Sequence, residues 1–594
     1  MTEIIFQNYI FKSESIPHYL YLRGYRFIIT TENELNISDG GSVEFSGYYN
    51  LFFPYYLKKY VNSGKIFIKI IGKGSCQFSL VSNDYFRNLP NISEKLDWNT
   101  DSYETKYLEI INLSELQYIE RYFYPKIDDV GTSGFQLKTM ELVLIENQNH
   151  TNPVHLGICV CTFKKEDYLY KNLEKIQSYS KYLIDYTIFI SDNAGSLNIE
   201  NDKNVNVYRN PNYGGSGGFS FTLMKALENP EVTHILFMDD DVDLEPEIIF
   251  RLKILYEFIG QSKICLSGGM IDILNPKYLF ESGAYYNHKK MKYNPVNSYK
   301  NIIDPDLQMK INLKAEKMEY GGFWFFSLPR KSAEEAGLIL PFFIRADDLE
   351  YNYRLRKFNN KIEYYPGLSV LHEPFYFKDP IWIHYYYFRN NLIFNSLRFK
   401  SAFWANWYAL FKYFFYNAIQ FKYDMIEALV KGVNDYYKGP EFIKFINPEL
   451  FQKELLELIK NDPDKTVGEY RFPKMTDNKI SLFLILKIVI SVNGNIFRIK
   501  PIHKKEVIFF KTKNIHHLLS NCGGTERITF VNDANKTSIS YNLNPSRFRK
   551  ILFSFFHLFI KSIPKYWWIR REWQKSEKEL ISKEFWNHYL DKAR

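Results

Sequence analysis

The stretch HILFMDDDVDLEP (residues 234–246) decides how this 594-residue chain is interpreted, because it joins an apolar run to a cluster of acids. The apolar run predicts a buried β-strand, at whose end three aspartates emerge. Adjacent carboxylates repel one another unless a cation or strong donors neutralise them, and oxygen ligands favour Mg²⁺ or Mn²⁺. In an extended stretch Asp239 and Asp241 point to one side and Asp240 to the other, so one side can hold metal and the other ribose. The alternative is a polar loop with an accidental run of aspartates.

Strand and helix patterns alternate on both sides of this stretch. HLGICVCTF (155–163) is an apolar strand, followed by a helix pattern and then by a second strand, YTIFISDNAGS (186–196). In the helix pattern, Leu169, Leu173 and Ile176 fall on one face. Such alternation predicts a parallel α/β sheet covered on both faces, with ligands at the carboxyl ends of its strands. Three loops are candidates for ligand binding: 162–165, 191–193 and 239–241.

A second signal is the glycine-rich stretch RNPNYGGSGGFSF (209–221). Glycines at 214, 215, 217 and 218 predict a loop that lets backbone approach a ligand just before a helix N-terminus. The spacing fits neither the dinucleotide fingerprint nor the Walker loop. Asn212 is a candidate for hydrogen bonding to a diphosphate or a sugar.

A third group of candidates lies between residues 321 and 384. Trp324, in GGFWFFSLP (321–329), is interpreted either as the floor of a sugar pocket or as an ordinary core residue. Asp347 and Asp348 open a predicted helix, where one acid can cap the helix and the other serve as general base. His372 ends a predicted strand, where it can join an aspartate–metal site, and His384 is a lower-ranked rival.

The rest of the chain predicts two further domains. Residues 1–150 show short strand patterns typical of a β-sandwich, and residues 396–594 are aromatic, basic and predicted to be mainly helical, which leaves 151–395 for the α/β core. Within the last segment, FRKILFSFFHLFIKSIPKYWWIRREW (548–573) fits either an amphipathic helix lying on a membrane or a packed terminal helix. The polar residues of 402–421 argue against a membrane span.

Composition narrows the class of protein. With 76 basic and 67 acidic residues the net charge is +9, and the basic residues are dispersed, so no nucleic-acid partner is expected. Five cysteines argue against a disulfide framework, and Cys159 and Cys161 look like strand residues. The N-terminal residues contain no basic segment followed by an apolar core, so no secretory signal is expected.

In their order along the chain, these pieces resemble a family 2, GT-A-fold glycosyltransferase, and most closely the bacterial polymerising galactofuranosyltransferases. The resemblance covers roughly residues 40 to 440. It rests on FSGYYNLFFPYYL (45–57), TFKK (162–165), SDNAGS (191–196), NPNYGGSGGF (210–219), MDDDV (238–242), GGFWFF (321–326), DDLEYNYR (347–354) and LHEP (371–374).

The resemblance implies a role for each candidate residue. Asp239, Asp241 and His372 would hold the metal, Mn²⁺ or Mg²⁺, and Asp348 would be the catalytic base. Trp324 and Asp347 would belong to the acceptor or sugar pocket. The nucleotide-sugar site would comprise Thr162, Phe163, Lys165, Asp192, Asn193, Asn212, Gly214, Gly215 and Asp240. Lys165 departs from the family pattern, where an arginine is expected, so the diphosphate would meet a point charge rather than a two-pronged fork.

The implied reaction is an inverting transfer of galactofuranose from UDP-galactofuranose to a glycan or glycolipid acceptor. The implied location is the cytoplasm, with peripheral contact at the inner face of the membrane and an oligomer of identical chains among the expected partners. Two alternatives stay open: a family 2 transferase for another sugar, such as rhamnose or glucose, and a noncatalytic carbohydrate-binding protein on a degenerate transferase fold.

Overall fold

The computed structural model describes residues 2–84, 92–98, 102–115, 121–146, 152–260, 262–313, 318–374, 380–400, 402–460, 464–469, 482–500, 506–510, 519, 521–532 and 537–591. The chain divides into two compact units. The first comprises Met1–Tyr285, Tyr293–Ile339 and Asp348–Lys378, and the second comprises Tyr286–Lys292, Leu340–Asp347 and Asp379–Arg594. The predicted domain boundaries at 150 and 395 stay predictions.

The N-terminal part of the first unit is an eight-stranded antiparallel sheet. Its elements are β1 (Thr2–Asn8), β2 (Arg23–Ile29), β3 (Leu35–Glu44), α1 (Pro54–Lys58), β4 (Lys65–Asp84), β5 (Ile92–Asp97), β6 (Glu104–Asn112), β7 (Arg121–Asp128) and β8 (Phe135–Glu146). The long strand β4 pairs with β6 and β8 along its first half and with β5 and β7 along its second half. Because β8 also pairs with β3, and β3 with β7, these pairings close on themselves.

The α/β part follows directly in the chain. Its elements are β9 (Leu156–Thr162), α2 (Glu166–Ser178), β10 (Tyr186–Asp192), β11 (Val205–Arg209), α3 (Gly214–Glu228), β12 (His234–Asp239), α4 (Glu247–Ile259), β13 (Ile264–Ser267), β14 (Met270–Asp272), β15 (Tyr278–Glu281), β16 (Ala284–Asn287), β17 (Lys292–Pro295), β18 (Lys300–Asn301), α5 (Pro305–Leu313), β19 (Phe326–Pro329), α6 (Arg330–Ala336), α7 (Asp347–Lys357), β20 (Lys361–Tyr364) and β21 (Val370–His372).

A seven-stranded sheet forms the centre of this part, in the order β11-β10-β9-β12-β19-β13-β20. Strands β11, β10, β9 and β12 are mutually parallel, whereas β19 runs antiparallel to both of its neighbours. The predicted parallel α/β arrangement is therefore confirmed for the first four strands, and Cys159 and Cys161 lie in β9 as expected. The parallel pairing puts the ends of β9, β10 and β12 at one edge of the sheet. A second, smaller sheet has the order β18-β15-β14-β21.

A buried ion pair on α4 ties the N-terminal sheet to the α/β part. The Arg251 guanidinium donates to Glu247 Oε1 at 2.9 Å, to the Tyr49 carbonyl at 2.6 Å and to the Asn8 carbonyl at 2.9 Å. The Asn8 backbone N–H donates to the same carboxylate at 2.6 Å. Because the charges are paired and hydrogen-bonded, their burial is tolerated. The apolar residues of both parts form one continuous core, so the two sheets belong to one packed body.

The second unit contains most of the C-terminal helices. Its elements beyond residue 379 are α8 (Ile383–Arg398), α9 (Phe403–Ile419), α10 (Tyr423–Tyr436), α11 (Pro440–Phe445), α12 (Pro448–Lys460), β22 (Lys465–Glu469), α13 (Leu482–Ile490), β23 (Glu506–Phe510), β24 (Arg527–Asn532), β25 (Thr537–Asn542), α14 (Pro545–Leu580) and α15 (Lys583–Asp591). The predicted helical C-terminal region is confirmed. The four-stranded sheet β22-β25-β24-β23 is an addition that the sequence analysis missed. Within the described ranges, no helix is both long and apolar enough to cross a membrane.

Candidate active site

The acidic cluster begins where β12 ends. Strand β12 is buried from His234 to Met238, and Asp239 is its last residue, paired in register with Cys161 of β9. A strand that is covered on both faces is apolar along its length, so the change from Met238 to Asp239 marks where β12 reaches the edge of the sheet. Asp240 and Asp241 follow in the turn beyond that edge.

His372 reaches this cluster through a backbone bridge. The Asp243 N–H donates to the Leu371 carbonyl at 2.7 Å, and the Leu371 N–H donates to the Asp243 carbonyl at 3.2 Å. The bridge holds the segment after the aspartates against β21, whose last residue is His372. The side chain of Asp243 forms an ion pair with Lys175.

Asp239, Asp241 and His372 converge on one point. His372 Nε2 lies 3.0 Å from Asp241 Oδ1 and 3.7 Å from Asp239 Oδ2, and one ligand atom from each of the three residues lies within 4.8 Å of the others. His372 is buried, and its Nδ1–H donates to the Glu373 carbonyl at 2.8 Å. That bond fixes the tautomer with the Nε2 lone pair toward the carboxylates, which is how metal-binding histidines are normally held. The three residues thus form a possible metal-binding triad.

Asp240 points away from the triad. Its Oδ2 accepts a hydrogen bond from the Phe163 N–H at 3.3 Å. Burial and the charge of Asp241 raise the pKa of Asp240 to about 7, although the Thr162 hydroxyl and the Phe163 N–H favour its ionised form. Lys165 Nζ lies 3.6 Å from Asp241 Oδ2 on the open side of the cluster. The structure therefore gathers the 162–165 segment and the 239–241 segment at one edge.

The glycine-rich stretch is the first turn of helix α3, not a loop. Gly214 begins the helix with a φ of +68°, and its N–H is bonded to Asn212 Oδ1 at 3.0 Å. At Gly218 a Cβ atom would lie 2.1 Å from Cys161 Sγ, so only glycine allows α3 to pack this closely on β9. Gly215 also lies in this first turn, and the predicted loop is corrected accordingly.

Asp192 and Asn193 hold the turn after β10 together. Both oxygens of the buried Asp192 accept from backbone, at 3.1 Å from Ala194, 2.8 Å from Gly195 and 2.9 Å from Leu197. Asn193 accepts from the Ser191 hydroxyl at 2.8 Å and donates to the Gly214 carbonyl at 3.1 Å. These bonds connect the turn internally and to α3, and a direct role in nucleotide-sugar binding stays a prediction for both residues.

Asp347 and Asp348 are the first two residues of α7, as predicted. Asp348 Oδ1 accepts from the Leu349 N–H at 2.6 Å, so one oxygen of Asp348 serves the helix terminus. The buried Asn352, one turn further, accepts from the Gly321 N–H at 3.2 Å and donates to the Gly321 carbonyl at 3.1 Å. This two-bond link holds α7 against the segment that contains Trp324.

Trp324 itself is buried, and its indole N–H donates to the Gly268 carbonyl at 3.2 Å. Burial with a satisfied N–H is the arrangement of an ordinary core tryptophan. A pocket-floor role for Trp324 therefore stays a prediction. His384, the lower-ranked histidine, lies in α8 of the second unit with Nδ1 2.7 Å from the Tyr413 hydroxyl.

Glu281 is a candidate that the sequence analysis missed. It is the last residue of β15, and burial together with the charge of Asp348 raises its pKa to about 8. Strand β14 lies between β15 and β21: its Met270 pairs with Glu281 of β15, and its Asp272 pairs with His372 of β21. Glu281 therefore lies in the same small sheet as His372, with β14 between their two strands. The only sequence signal was an acid within the apolar run YLFE.

Comparison with known proteins identifies relatives over about half of the chain. The galactofuranosyltransferase GlfT2 of Mycolicibacterium smegmatis is 27% identical over 292 residues, which cover 46% of this chain and 44% of that protein. GlfT2 of Mycobacterium tuberculosis is 28% identical over 283 residues, covering 44% and 43%. The chain resembles the galactofuranosyltransferases. It matches less than half the length of these curated relatives, and no family model matches it.

Two solved structures also match in part. One is GalNAc-T7 with UDP, GalNAc and Mn²⁺, with 14% identity, a TM-score of 0.31 and coverage of 54% of this chain and 61% of that chain. The other is the mannosyltransferase PcManGT from Pyrobaculum calidifontis with GDP-Man and Mn²⁺, with 9% identity, a TM-score of 0.28 and coverage of 53% and 83%. Structural similarity at these TM-scores is too low to support a conclusion. The resemblance to galactofuranosyltransferases therefore depends on the sequence match.

Proposed function

We propose that this chain is an inverting, divalent-metal-dependent galactofuranosyltransferase with a GT-A-type core. It transfers galactofuranose from UDP-galactofuranose to a hydroxyl of a surface glycan, free or lipid-linked. The observation that carries the proposal is the convergence of Asp239, Asp241 and His372 beside the carboxyl ends of parallel strands. The sequence match to relatives named as galactofuranosyltransferases supports the choice of sugar.

Asp239, Asp241 and His372 are the residues that would hold the metal. Two carboxylate oxygens and one imidazole nitrogen leave coordination positions for diphosphate oxygens, which suits Mn²⁺ better than Ca²⁺. When bound, the ion offsets the negative charge that develops on the UDP leaving group. Lys165, within 3.6 Å of Asp241, adds a positive charge on the same side.

The nucleotide sugar is proposed to lie along the edge formed by three segments of the first unit. Asp240, Thr162 and Phe163 form its nucleotide side, supported by the Asp240–Phe163 hydrogen bond that joins them. Asp192, Asn193, Asn212, Gly214 and Gly215 shape the neighbouring wall, supported by the bonds between the β10 turn and α3.

Asp348 is proposed as the base that accepts the proton of the acceptor hydroxyl. The acceptor oxygen then attacks the anomeric carbon on the side opposite to UDP, so the configuration inverts. Trp324 and Asp347 are proposed for the acceptor pocket. The proposed location is cytoplasmic.

Product analysis tests this proposal. The full chain is incubated with Mn²⁺, a synthetic galactofuranosyl acceptor and, in separate reactions, UDP-galactofuranose, UDP-glucose and a rhamnosyl nucleotide, and products are measured by mass spectrometry. Transfer from UDP-galactofuranose alone is expected. Preferential transfer from another donor would show that the transferred sugar is not galactofuranose. Absence of both transfer and donor hydrolysis would favour the noncatalytic alternative.

Asp348→Asn provides the mechanistic test, with Asp39→Asn as a matched control on the exposed N-terminal sheet. The Asp348 variant is expected to lose transfer by about a thousandfold or more while it retains Mn²⁺-dependent UDP binding. The control should retain both. Equal loss of transfer and UDP binding in Asp348→Asn would show that Asp348 is structural.

A further inference from the structure

Helix α14 of the second unit has two apolar stripes rather than one. The first stripe is buried and packs on α9 and α10. Its residues are Phe548, Ile551, Phe555, Tyr566, Ile569 and Trp573. The ring contacts run antiparallel along α9: Phe414 with Phe555 at 4.3 Å, Trp407 with Phe559 at 4.9 Å and Phe403 with Tyr566 at 5.1 Å. The same helix also contacts α8, where Arg398 pairs with Glu577 at 2.6 Å.

The second stripe is exposed. Its residues follow one another at alternating spacings of three and four, the repeat of a single helix face: Phe553, Phe556, Ile560, Ile563 and Trp567. Phe553 is 76% exposed, and Trp568 beside the stripe is also exposed. Contiguous apolar residues of this size are unfavourable in water and mark an interaction surface.

The exposed surface continues onto α9. The rings of Phe411 and Phe556 are 5.6 Å apart, which joins the stripe to the outer face of α9. On that face Trp404 and Tyr408 are largely exposed. The result is one aromatic surface across two antiparallel helices, which we name the α9–α14 face.

The charged residues on the two segments that form the α9–α14 face are all basic. Residues 545–571 contain seven Lys or Arg and no Asp or Glu, and α9 adds Lys412 and no acid. Tryptophan and tyrosine beside basic residues are typical of helices that lie in the membrane interface. Two copies of this face packed together would bring like charges into contact, whereas an anionic bilayer would neutralise them.

A basic groove borders the same stripe on the side of α10. It has a volume of about 560 Å³ and is lined by Lys550, His557 and Lys561 of α14 and by Lys431 of α10. The acid that also lines it, Glu427, is paired with Arg547 at 2.7 Å. Lipid phosphates beside an inserted aromatic stripe would meet these cations.

We propose that the α9–α14 face is a docking surface for an anionic lipid bilayer, with the aromatic stripe inserted at the interface and the flanking cations on lipid phosphates. The face lies in the second unit, whereas the candidate metal triad lies in the first. Vesicle binding is measured without any sugar donor, so its outcome is separate from that of the proposed transferase reaction.

Vesicle flotation of the full chain tests the proposal, with phosphatidylcholine vesicles and with equimolar phosphatidylcholine and phosphatidylglycerol. Binding to the anionic vesicles only, weakened by salt, is expected. Ile560→Ser should lower the partition coefficient on the order of tenfold. Lys561→Gln should lower it about fivefold, which corresponds to the ~1 kcal/mol of one interfacial lysine.

Ile184→Ser is the matched control, because Ile184 is 68% exposed and Ile560 is 63% exposed. This variant should bind vesicles like the wild type, and both variants should keep the wild-type melting temperature. Absence of vesicle binding, or equal binding by Ile560→Ser and Ile184→Ser, would overturn the proposal. Loss of a wild-type oligomer in Ile560→Ser, seen by light scattering without vesicle binding, would assign the face to a second copy instead.

Discussion

The strands β10 and β12 lie on either side of β9, and both end in aspartates at the same edge of the sheet, but the two ends use these aspartates differently. At the end of β10, Asp192 accepts three hydrogen bonds from the backbone of its own turn. At the end of β12, Asp239 and Asp241 face an imidazole whose other nitrogen is already bonded to a carbonyl. The first carboxylate stabilises the fold, and the second pair is arranged to receive a cation.

The difference shows that the position of an acid at a strand end does not by itself identify a ligand. Three backbone N–H groups satisfy a carboxylate without any outside partner. Two carboxylates within reach of one imidazole lone pair gain most from a shared cation. The hydrogen-bond partners of the carboxylate oxygens therefore distinguish a structural acid from a candidate metal ligand. A substitution at each acid tests which role it has.

The largest effect is expected for Asp241→Asn. The amide keeps the size of the side chain but removes the charge that faces His372, so metal affinity should fall strongly. Transfer should drop about a thousandfold, and the Mn²⁺-induced rise in melting temperature should disappear. Calorimetry measures Mn²⁺ affinity with and without UDP, and Asp39→Asn serves as the control variant. If Mn²⁺ stabilised Asp241→Asn as much as the wild type, Asp241 would only stabilise the fold, as Asp192 does.

A third strand-end acid, Glu281 of β15, adds a pH dependence. Burial and the charge of Asp348 raise its pKa to about 8, from the usual 4.5 of a glutamate. The folded state therefore holds a proton that the unfolded state releases, so stability falls as pH rises from about 4.5 to 8. The expected loss is on the order of 5 kcal/mol. Glu281→Gln should remove it, so the melting-temperature difference between the variant and the wild type should grow over that pH range.

The control for Glu281 is Glu32→Gln in the exposed turn between β2 and β3, whose variant should follow the wild-type pH profile. A constant difference between Glu281→Gln and the wild type from pH 5 to pH 8 would contradict a protonated Glu281 in the folded state. Activity measured on the same samples separates stability from chemistry. A shift of the alkaline limb of the activity profile would show that Glu281 acts on Asp348.

For Asp192→Asn the expected effect is on stability. The amide can accept through only one oxygen, so at least one buried charge-assisted hydrogen bond is lost, which costs about 2 kcal/mol. Melting temperature should fall, whereas the additional rise caused by Mn²⁺ should remain. If Asp192→Asn kept full stability but lost UDP affinity, Asp192 would be a ligand-binding residue. That result would contradict the distinction between the two strand ends.

Local patterns were enough to predict part of this arrangement. The change from apolar to acidic residues after Met238 predicted the strand end, and the alternation of an extended chain predicted that Asp240 would point away from Asp239 and Asp241. The Asp243–Leu371 bridge, by contrast, joins residues far apart in the chain and has no local signal. The bridge explains why His372 reaches the cluster. Because its two residues are far apart in the sequence, no local pattern predicted the bridge.

Tertiary contacts explain the two errors in secondary structure. Glycine has low helix propensity, so residues 214–218 predicted a loop, yet close packing of α3 on β9 at Gly218 outweighs that preference. In the second unit, strands β24 and β25 are short β-branched runs inside a segment dominated by helical patterns. Their pairing with β22 and β23 makes them strands.

The smallest effect is expected at Lys165, where the resemblance to family 2 glycosyltransferases implies an arginine. Its ammonium lies 3.6 Å from Asp241 Oδ2 with 39% of its side chain exposed, and such a pair contributes at most about 1 kcal/mol. Lys165→Arg should retain transfer within about threefold, and Lys165→Met should raise the KM for the donor several-fold at unchanged kcat. Steady-state kinetics with varied donor measures both. A collapse of kcat in Lys165→Met would make the lysine part of the reacting centre, and the strand end of β12 would then need a cationic side chain as well as a metal.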